Sequence, residues 1–523
     1  MAIGVISFGA FFDRVKKPIP RILILLFFLG LLPSLHLVTG FSSFASDALL
    51  GWFYQISLLL AVLAGHRIAS NATNCNVSEW LGFAHMLWIA ALLSAAVGLS
   101  QWFNLAESLG IYAIKIGSSR AAGNLAQPNQ LATLLLMGMA SLVYVFEKNM
   151  IGKTSLAAAV AFMTAVLVLT QSRAGMVSVL VIAVFMLWKQ RAGTLQLPRR
   201  AIYGWVGGFA LATLSLPSIS EWLLMSGSRG LIATESISER WLIWKQVAYA
   251  IGQAPWLGYG WNQTPTANAV GALVYPGSTT YTNAHNIVLD LMVWCGIPLG
   301  LLLTGVMMYW GISRMWSVKQ PGAVLAMAAL LPIAVHSMLE FPFAYAYFLI
   351  SAGFFVGIVE AAYIPAKTVL IKVRWLWAVL GIWAGVGGYI VYEYFLIEED
   401  YRIIRLEEML PGSTPTNYEV PHIWMLSHMA AMLKAARQVP RTDMPVDELE
   451  NLRRVSDRFA YGAIRFKYAQ ALGLNGDPAG ASKQMEIIHG MYGDYFYSAC
   501  RDELARLANE KYPQLAAIKE PQK

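Results

Sequence analysis

Long apolar runs separated by short polar joints fill the first 394 residues of the chain. The runs are continuous rather than alternating, which fits helices that cross a bilayer and excludes the two-residue pattern of a transmembrane barrel. Segments near 21–38, 48–65, 81–100, 130–146, 154–170, 174–188, 201–216, 285–312, 320–337, 343–361 and 374–394 approach the length a span requires. The expected fold class is an all-α polytopic membrane protein with about 11 transmembrane helices, residues 1–394 forming the membrane domain. Beyond residue 394 charges become frequent and helical periodicity replaces unbroken apolarity, predicting a small helical domain over 395–523. Its stretch from Phe466 to Glu486 reads as helix, Gly/Asn/Asp turn, helix, like one tetratricopeptide-type unit without a 34-residue recurrence. A stabilising cap and a binding module are both open as its role.

Composition sharpens this picture. Only 13% of the residues are charged, about half the share in soluble domains, and 57% are apolar. A disulfide-rich secreted scaffold and a disordered chain are excluded. Cys75, Cys295 and Cys500 fall in a loop, an apolar span and the C-terminal region, so neither a disulfide nor thiol chemistry is expected. Arg14, Lys16 and Lys17 precede the first apolar run, and no small-residue cleavage site follows it, so a retained first span is expected.

The net charge of +8 is read by position rather than as a sign of nucleic acid, which is not expected as a partner. With a cytoplasmic N-terminus, the inner segments carry 16 cations: Arg14, Lys16, Lys17, Arg21, Arg67, Lys148, Lys153, Lys189, Arg191, Arg199, Arg200, Arg314, Lys319, Lys367, Lys372 and Arg374. The outer loops carry six: Lys115, Arg120, Arg173, Arg229, Arg240 and Lys245. This bias predicts a bacterial inner-membrane protein with a large periplasmic loop at 217–284 and a periplasmic C-terminal domain.

Inner cations serve insertion, whereas the outer six run against the bias and need another reason. Polar residues gather on the same face. Arg120, Asn124, Gln127, Asn129 and Gln130 lie between the third and fourth spans, and Gln171-Ser-Arg-Ala-Gly between the fifth and sixth. The large loop adds Arg229, Glu239-Arg-Trp-Leu-Ile-Trp-Lys-Gln-Val with Arg240 and Lys245, and Pro255-Trp-Leu-Gly-Tyr-Gly-Trp-Asn-Gln with Trp261. Its tryptophans suit an interfacial belt, an amphipathic surface beside a lipid-borne substrate, or both. His285 and Asn286 stand at the start of the eighth span, five residues before Asp290, and His336 and Glu340 at the end of the ninth.

Arginine forks hold phosphate oxygens bidentately and stay charged, and a histidine beside a hydroxyl can take its proton during attack. The combination suits transfer from a lipid diphosphate, a good leaving group once neutralised, to a hydroxyl. No P-loop, His/Asp metal cluster or G-x-S-x-G context is present, so no cofactor, metal or serine nucleophile is expected.

Gly123-Asn-Leu-Ala-Gln-Pro-Asn-Gln-Leu-Ala, Gln171-Ser-Arg-Ala-Gly, Arg240-Trp-Leu-Ile-Trp with Gly258-Tyr-Gly-Trp, and Ala284-His-Asn followed by Gly296-Ile-Pro resemble the O-antigen ligase and polymerase superfamily. Within it they are most similar to bacterial protein O-oligosaccharyltransferases, the pilin-glycosylation ligases. The ligase pattern of His, a polar residue, nine residues and Gly is met by His285, Asn286 and Gly296, but Leu299 stands where Gly, Thr or Tyr is expected three residues later. That departure, with the Asn-Leu-Ala-Gln-Pro-Asn-Gln run and His336-Ser-Met-Leu-Glu-Phe-Pro, favours a protein ligase or polymerase over a lipopolysaccharide ligase.

The resemblance implies a GT-C-like helix arrangement and en bloc transfer of an oligosaccharide from undecaprenyl diphosphate to Ser or Thr of a periplasmic or pilin protein. It implies that His285 is the base and that Arg173 and Arg240 clamp the diphosphate, with Arg120 and Arg229 as weaker candidates. Gln127, Asn129, Gln130, Lys245, Trp261, Asn286, His336 and Glu340 are expected to line the substrate site, and His336 is the other candidate base. Two alternatives stay open. A ligase or polymerase would use the same donor and another acceptor, and a flippase would move the lipid-linked glycan, although no internal repeat of the transporter kind is visible.

Overall fold

The computed structural model describes residues 16–71, 80–107, 110, 120–223, 235–277, 280–363, 368–410, 414 and 418–519; Cys75, Lys115 and Arg229 lie outside these. In chain order, β1 (Lys16–Pro20) is followed by α1 (Ile22–Leu29), α2 (Leu32–Val38), α3 (Ala45–Asn71) and α4 (Leu81–Trp102). Then come α5 (Pro128–Glu147), α6 (Lys153–Leu169), α7 (Arg173–Arg191) and α8 (Arg199–Trp222). Next are α9 (Glu235–Gln253), α10 (Thr264–Ala272), α11 (Ile287–Ser317), α12 (Pro321–Ser337) and α13 (Ala346–Ala361). The series continues with β2 (Thr368–Lys372), α14 (Val373–Met409), α15 (Ser427–Arg437), α16 (Val446–Arg458), α17 (Gly462–Leu474) and α18 (Pro478–Glu510).

The all-α expectation meets one exception. β1 and β2 pair antiparallel, from Lys16 opposite Lys372 to Pro20 opposite Thr368. Pro18 and Pro20 lack an N–H, which keeps this ribbon from extending into a wider sheet. Among the described residues seven helices, α3, α4, α5, α7, α8, α11 and α14, are long and apolar enough to cross a membrane. The other four predicted spans fall on the shorter apolar stretches Ile22–Val38, Lys153–Leu169, Pro321–Ser337 and Ala346–Ala361. The chain is a multi-pass membrane protein.

Three boundaries differ from the sequence expectation. The first span is two helices: α1 ends at Leu29 and α2 starts at Leu32, with Pro33 in its first turn, where the missing N–H costs no intrahelical bond. The stretch 217–284 is not an open loop: α8 runs on to Trp222, and α9 and α10 follow. The last span does not stop at residue 394, since α14 continues to Met409. Its polar end, from Glu393 onward, is satisfied within the C-terminal region. Glu393 accepts from the backbone N–H groups of Trp424 and Leu426, and Arg437 forks onto Asp400 at 2.6 and 3.0 Å.

Two compact units divide the chain. The first gathers residues 1–26, 56–233 and 307–380, and the second residues 27–55, 234–306 and 381–523. In the first unit α5 is the central helix, with 94% of its apolar window buried. α4, α6, α7 and α12 surround it, and Trp80 stacks on Tyr144 with ring centroids 4.2 Å apart.

In the second unit the expected helix–turn–helix is present as α17, the Asn475-Gly-Asp turn and α18, whose first turn is capped by Asp477 accepting from Gly480 N at 2.8 Å. Cys295 and Cys500 are free and buried. The C-terminal helices are held to the start of α3, where Arg458 forks onto buried Asp47 and His428 bonds Ser46. They also pack on α10: Ile487 and Met491 meet Ala269 and Ala272, and Thr266 donates to the carbonyl of Asp457.

Candidate active site

In the first unit the two polar joints between apolar helices close on one side chain, Asn129. Pro128 opens α5, and Gln127 caps it by accepting from Gln130 N at 2.8 Å. Ser172 caps α7 in the same way, accepting from Gly175 N at 3.0 Å. Ser172 then donates its hydroxyl to Asn129 Oδ1 at 2.7 Å, while Asn129 Nδ2 donates to Glu340 Oε1 at 3.3 Å. Arg120 donates to the carbonyl of Thr170 at 2.9 Å and to Asn129 Oδ1 at 3.4 Å. Thr133, one turn after Asn129, bonds the carbonyl of Asn129 and lies 2.9 Å from Nδ1 of buried His336. Tyr347 donates to Gln130 Oε1. Five separate chain segments therefore meet through one amide and its neighbours, which is how a buried polar group is retained among apolar helices. Arg173, the first residue of α7, follows directly on this knot and is half-buried.

In the second unit the centre is the turn before α11. Asn286 caps the helix, accepting from Val288 N at 2.9 Å and Leu289 N at 3.3 Å. His285 precedes it with φ of +53°, a left-handed conformation uncommon outside glycine. The turn is gripped from two sides. Asp290, fully buried, accepts from Ala284 N at 2.9 Å and from Thr264 Oγ1 at 3.0 Å. Thr264 in turn accepts from Trp294 Nε1 at 2.9 Å. From the other side Trp244 of α9 donates to the carbonyl of Ala284 at 3.1 Å. Arg240 lies one helical turn before Trp244, on the same α9 face, so it is carried to the side on which α9 grips the histidine turn.

Below this turn α11 is broken at Gly296, whose φ is +76°. The break frees the carbonyls of Val293 and Trp294, which accept from Tyr259 and Gly260 N–H groups at 2.7 and 3.2 Å, while Ile297 N donates to Pro255 O at 2.7 Å. A Cβ on Gly258 would lie 2.4 Å from Val293 O, and one on Gly296 2.3 Å from Trp256 O, so neither position admits a side chain. The Gly258-Tyr-Gly-Trp and Gly296-Ile-Pro motifs are thus two halves of one docking. Trp261, which follows, donates its backbone N–H to His36 Nδ1 at 2.9 Å and packs against Trp294 with centroids 4.8 Å apart. Burial raises the Tyr259 phenol to about 12 and lifts Tyr281 as well, so both phenols stay protonated at neutral pH.

Among the described residues seven non-glycines have positive φ, and four of them, Ala126, Gln171, Asn262 and His285, sit in the motif segments. Strained backbone concentrated in this way is a signature of segments built to position groups.

The structure thus brings Arg120, Asn129, His336 and Glu340 into one bonded network with Gln127 and Gln130 at its edge. It separately gathers His285, Asn286, Arg240 and Trp261 around α11 in the second unit. Lys245 is exposed and stands over the ring of Trp241 at 5.8 Å. Arg229 lies outside the described residues. Thr133, His36 and Tyr347 were not legible as site residues, because single polar groups inside apolar runs carry no spacing signal, and Thr264 was one hydroxyl among several in the stretch after Gln263. Among the described residues no group of three His, Cys, Asp or Glu side chains is placed to hold a metal.

Comparison with known proteins agrees with the motifs. Residues 158–304 match the family described as O-antigen ligase, residues 121–146 protein glycosylation ligase, and residues 324–505 virulence factor membrane-bound polymerase, C-terminal. The protein named general O-oligosaccharyltransferase in Acinetobacter baylyi is 28% identical over 94% of this chain and 88% of its own length. Another from the same organism, named ComP-specific O-oligosaccharyltransferase, is 27% identical over 67% of this chain and 63% of its own. No solved structure matches. The molecule is a glycosyltransferase, similar over these stretches to the O-antigen ligases and protein glycosylation ligases. Over most of its length it resembles the bacterial O-oligosaccharyltransferases, as its motifs implied.

Proposed function

We propose that this enzyme transfers an oligosaccharide en bloc from undecaprenyl diphosphate to Ser or Thr hydroxyls of periplasmic or pilin proteins, from the inner membrane with its N-terminus in the cytoplasm and its C-terminal domain in the periplasm. The observation that supports it most is the His285 turn: its backbone is fixed by Asp290 and Trp244, and the histidine is only partly buried at the start of α11. His285 takes the proton of the acceptor hydroxyl as that oxygen attacks the anomeric carbon. The bond from that carbon to the diphosphate breaks, and the electron pair leaves on the diphosphate. Arg173 and Arg240, with Arg120 and Arg229 in support, neutralise the growing charge there. Gln127, Asn129, Gln130, Lys245, Trp261, Asn286 and Glu340 line and shape the substrate site. His336, buried and bonded to Thr133, serves by positioning Asn129.

A second reading, joining the glycan to lipid A core or to a growing O-antigen, is favoured by the O-antigen ligase and membrane-bound polymerase matches. Both readings share the donor and differ in acceptor. Purified enzyme is incubated with lipid-linked glycan and either pilin or lipid A core, and products are read by mass spectrometry. A mass increase on Ser or Thr of the pilin supports the proposal; modification of the lipid acceptor alone rejects it.

A further inference from the structure

A second site lies at the other end of the first unit's helices. Between α5, α6, α7, α8 and α12 is a cavity of about 930 Å³, at the upper end of the range for ligand pockets. Its walls are mostly apolar, and where α6 faces α8 they are built of small residues. Ala157, Ala161 and Ala165 on α6 share the lining with Gly204, Gly208 and Ala212 on α8, each set at helical i, i+4, i+8 spacing. Facing stripes of small residues usually let membrane helices close on each other. Here they do not, since a Cβ on Gly204 or Gly208 would meet nothing within 4 Å.

The rim of this cavity is cationic. Lys153 is the first residue of α6 and Arg200 the second of α8, and neither forms an ion pair among the described residues. Both helices begin without a side-chain cap, so their first-turn N–H groups and positive dipole ends add to the two charges. The nearby carboxylate of Glu147 is committed elsewhere: it accepts from Gln196 N and Leu197 N, both at 2.9 Å, and so pins the linker that shapes the rim. The 17-residue α6 separates Lys153 from the Gln171-Ser-Arg turn by about 25 Å, so this rim is distinct from the arginines assigned to the donor.

We infer that this cavity binds an anionic phospholipid, its phosphate held by Lys153 and Arg200 and its acyl chains seated between α6 and α8. By the charge bias of the chain this is a lipid of the cytoplasmic leaflet, and the assignment does not depend on the transfer reading. A dry apolar cavity in a bilayer fills with acyl chain whatever the headgroup, and the two cations and two uncapped helix ends turn that filling into headgroup selection.

Trp205 lines the cavity, its indole fixed by a hydrogen bond to Thr164 at 3.1 Å, and it reports occupancy. The full chain is placed in phosphatidylcholine nanodiscs with increasing fractions of phosphatidylglycerol carrying brominated acyl chains. Because the chain has 18 tryptophans, the Trp205 signal is taken as the difference between wild type and Trp205→Phe. Quenching of that signal at a several-fold lower fraction of brominated phosphatidylglycerol than of brominated phosphatidylcholine is expected. The Lys153→Gln/Arg200→Gln double variant should bring the two curves together, and Gly208→Leu should reduce quenching by both lipids. Identical curves in the wild type, or an unchanged preference in the double variant, overturns the proposal. Displacement of the brominated lipid by a neutral polyprenol more readily than by unlabelled phosphatidylglycerol also overturns it.

Discussion

The Asn129 network and the His285 turn are made of the same few residue types, yet they use them differently. Around Asn129 the side chains bond to one another and to helix ends, and the members deepest in the unit, His336, Thr133 and Ser172, are almost wholly buried. Around His285 the buried partners, Asp290 and Thr264, bind backbone and each other, and the histidine stays half-exposed. A polar network that spends its hydrogen bonds on other chain segments fixes helix ends in an apolar surrounding. One that spends them on the backbone beneath a single side chain presents that side chain. Proton transfer is therefore expected to depend on the second region, and stability on the buried members of the first, which hold the helix end that carries Arg173.

The largest expected effect tests this division directly. His285→Ala should lower glycan transfer by about 100- to 10,000-fold, the usual contribution of a general base, with insertion and helical content unchanged by circular dichroism. Wild-type turnover in that variant would remove the base role from this turn. Arg240→Lys should cost about tenfold in transfer, because a point charge does not reproduce a fork on a diphosphate. Near-normal turnover would make Arg240 a membrane anchor.

Asn129→Ala should instead act on stability, lowering it by about 2–3 kcal/mol through the unpaired Ser172 and Arg120 donors it leaves, read as a fall of several degrees in the unfolding temperature. An unchanged melting temperature would break the comparison.

The smallest effect concerns the C-terminal helices. Burial lowers His428, outside the membrane helices, to about 4, while the unfolded chain titrates near 6.5. The folded state favours the neutral ring, so the stability it contributes is complete above pH 6.5 and is lost as pH falls from there towards 4. The loss should appear as a falling unfolding temperature below pH 6.5 and be blunted in His428→Gln, which keeps the backbone bond to Ser46. A melt of wild type that is flat across this window would contradict it.

The segments proposed to carry the chemistry were visible in the chain because they break an apolar pattern. Gln171-Ser-Arg-Ala-Gly and the Ala284-His-Asn turn interrupt runs that are otherwise uniform, and an interruption at a helix end is where caps must be. The helix–turn–helix at 466–486 was visible for the same reason, a turn signal between two periodic stretches. What was hidden lies inside the runs. Thr133 is an isolated hydroxyl in an apolar helix, and the cavity beside α8 consists of missing side chains, which leave no mark in hydropathy.

Periodicity and charge in the sequence determined by themselves that the chain is helical and crosses a membrane, and the order of its polar joints already named the residues worth testing. They do so because hydration of apolar surface and of charge is a local property of each segment. Tertiary structure decided which joints bond to which: that Ser172 and Glu340 share one amide, that the Gly258 loop fills the break at Gly296, and that Asp290 and Trp244 hold the turn carrying His285. These pairings join residues far apart in the chain through directional hydrogen bonds and close backbone contact, which only the packed helices fix.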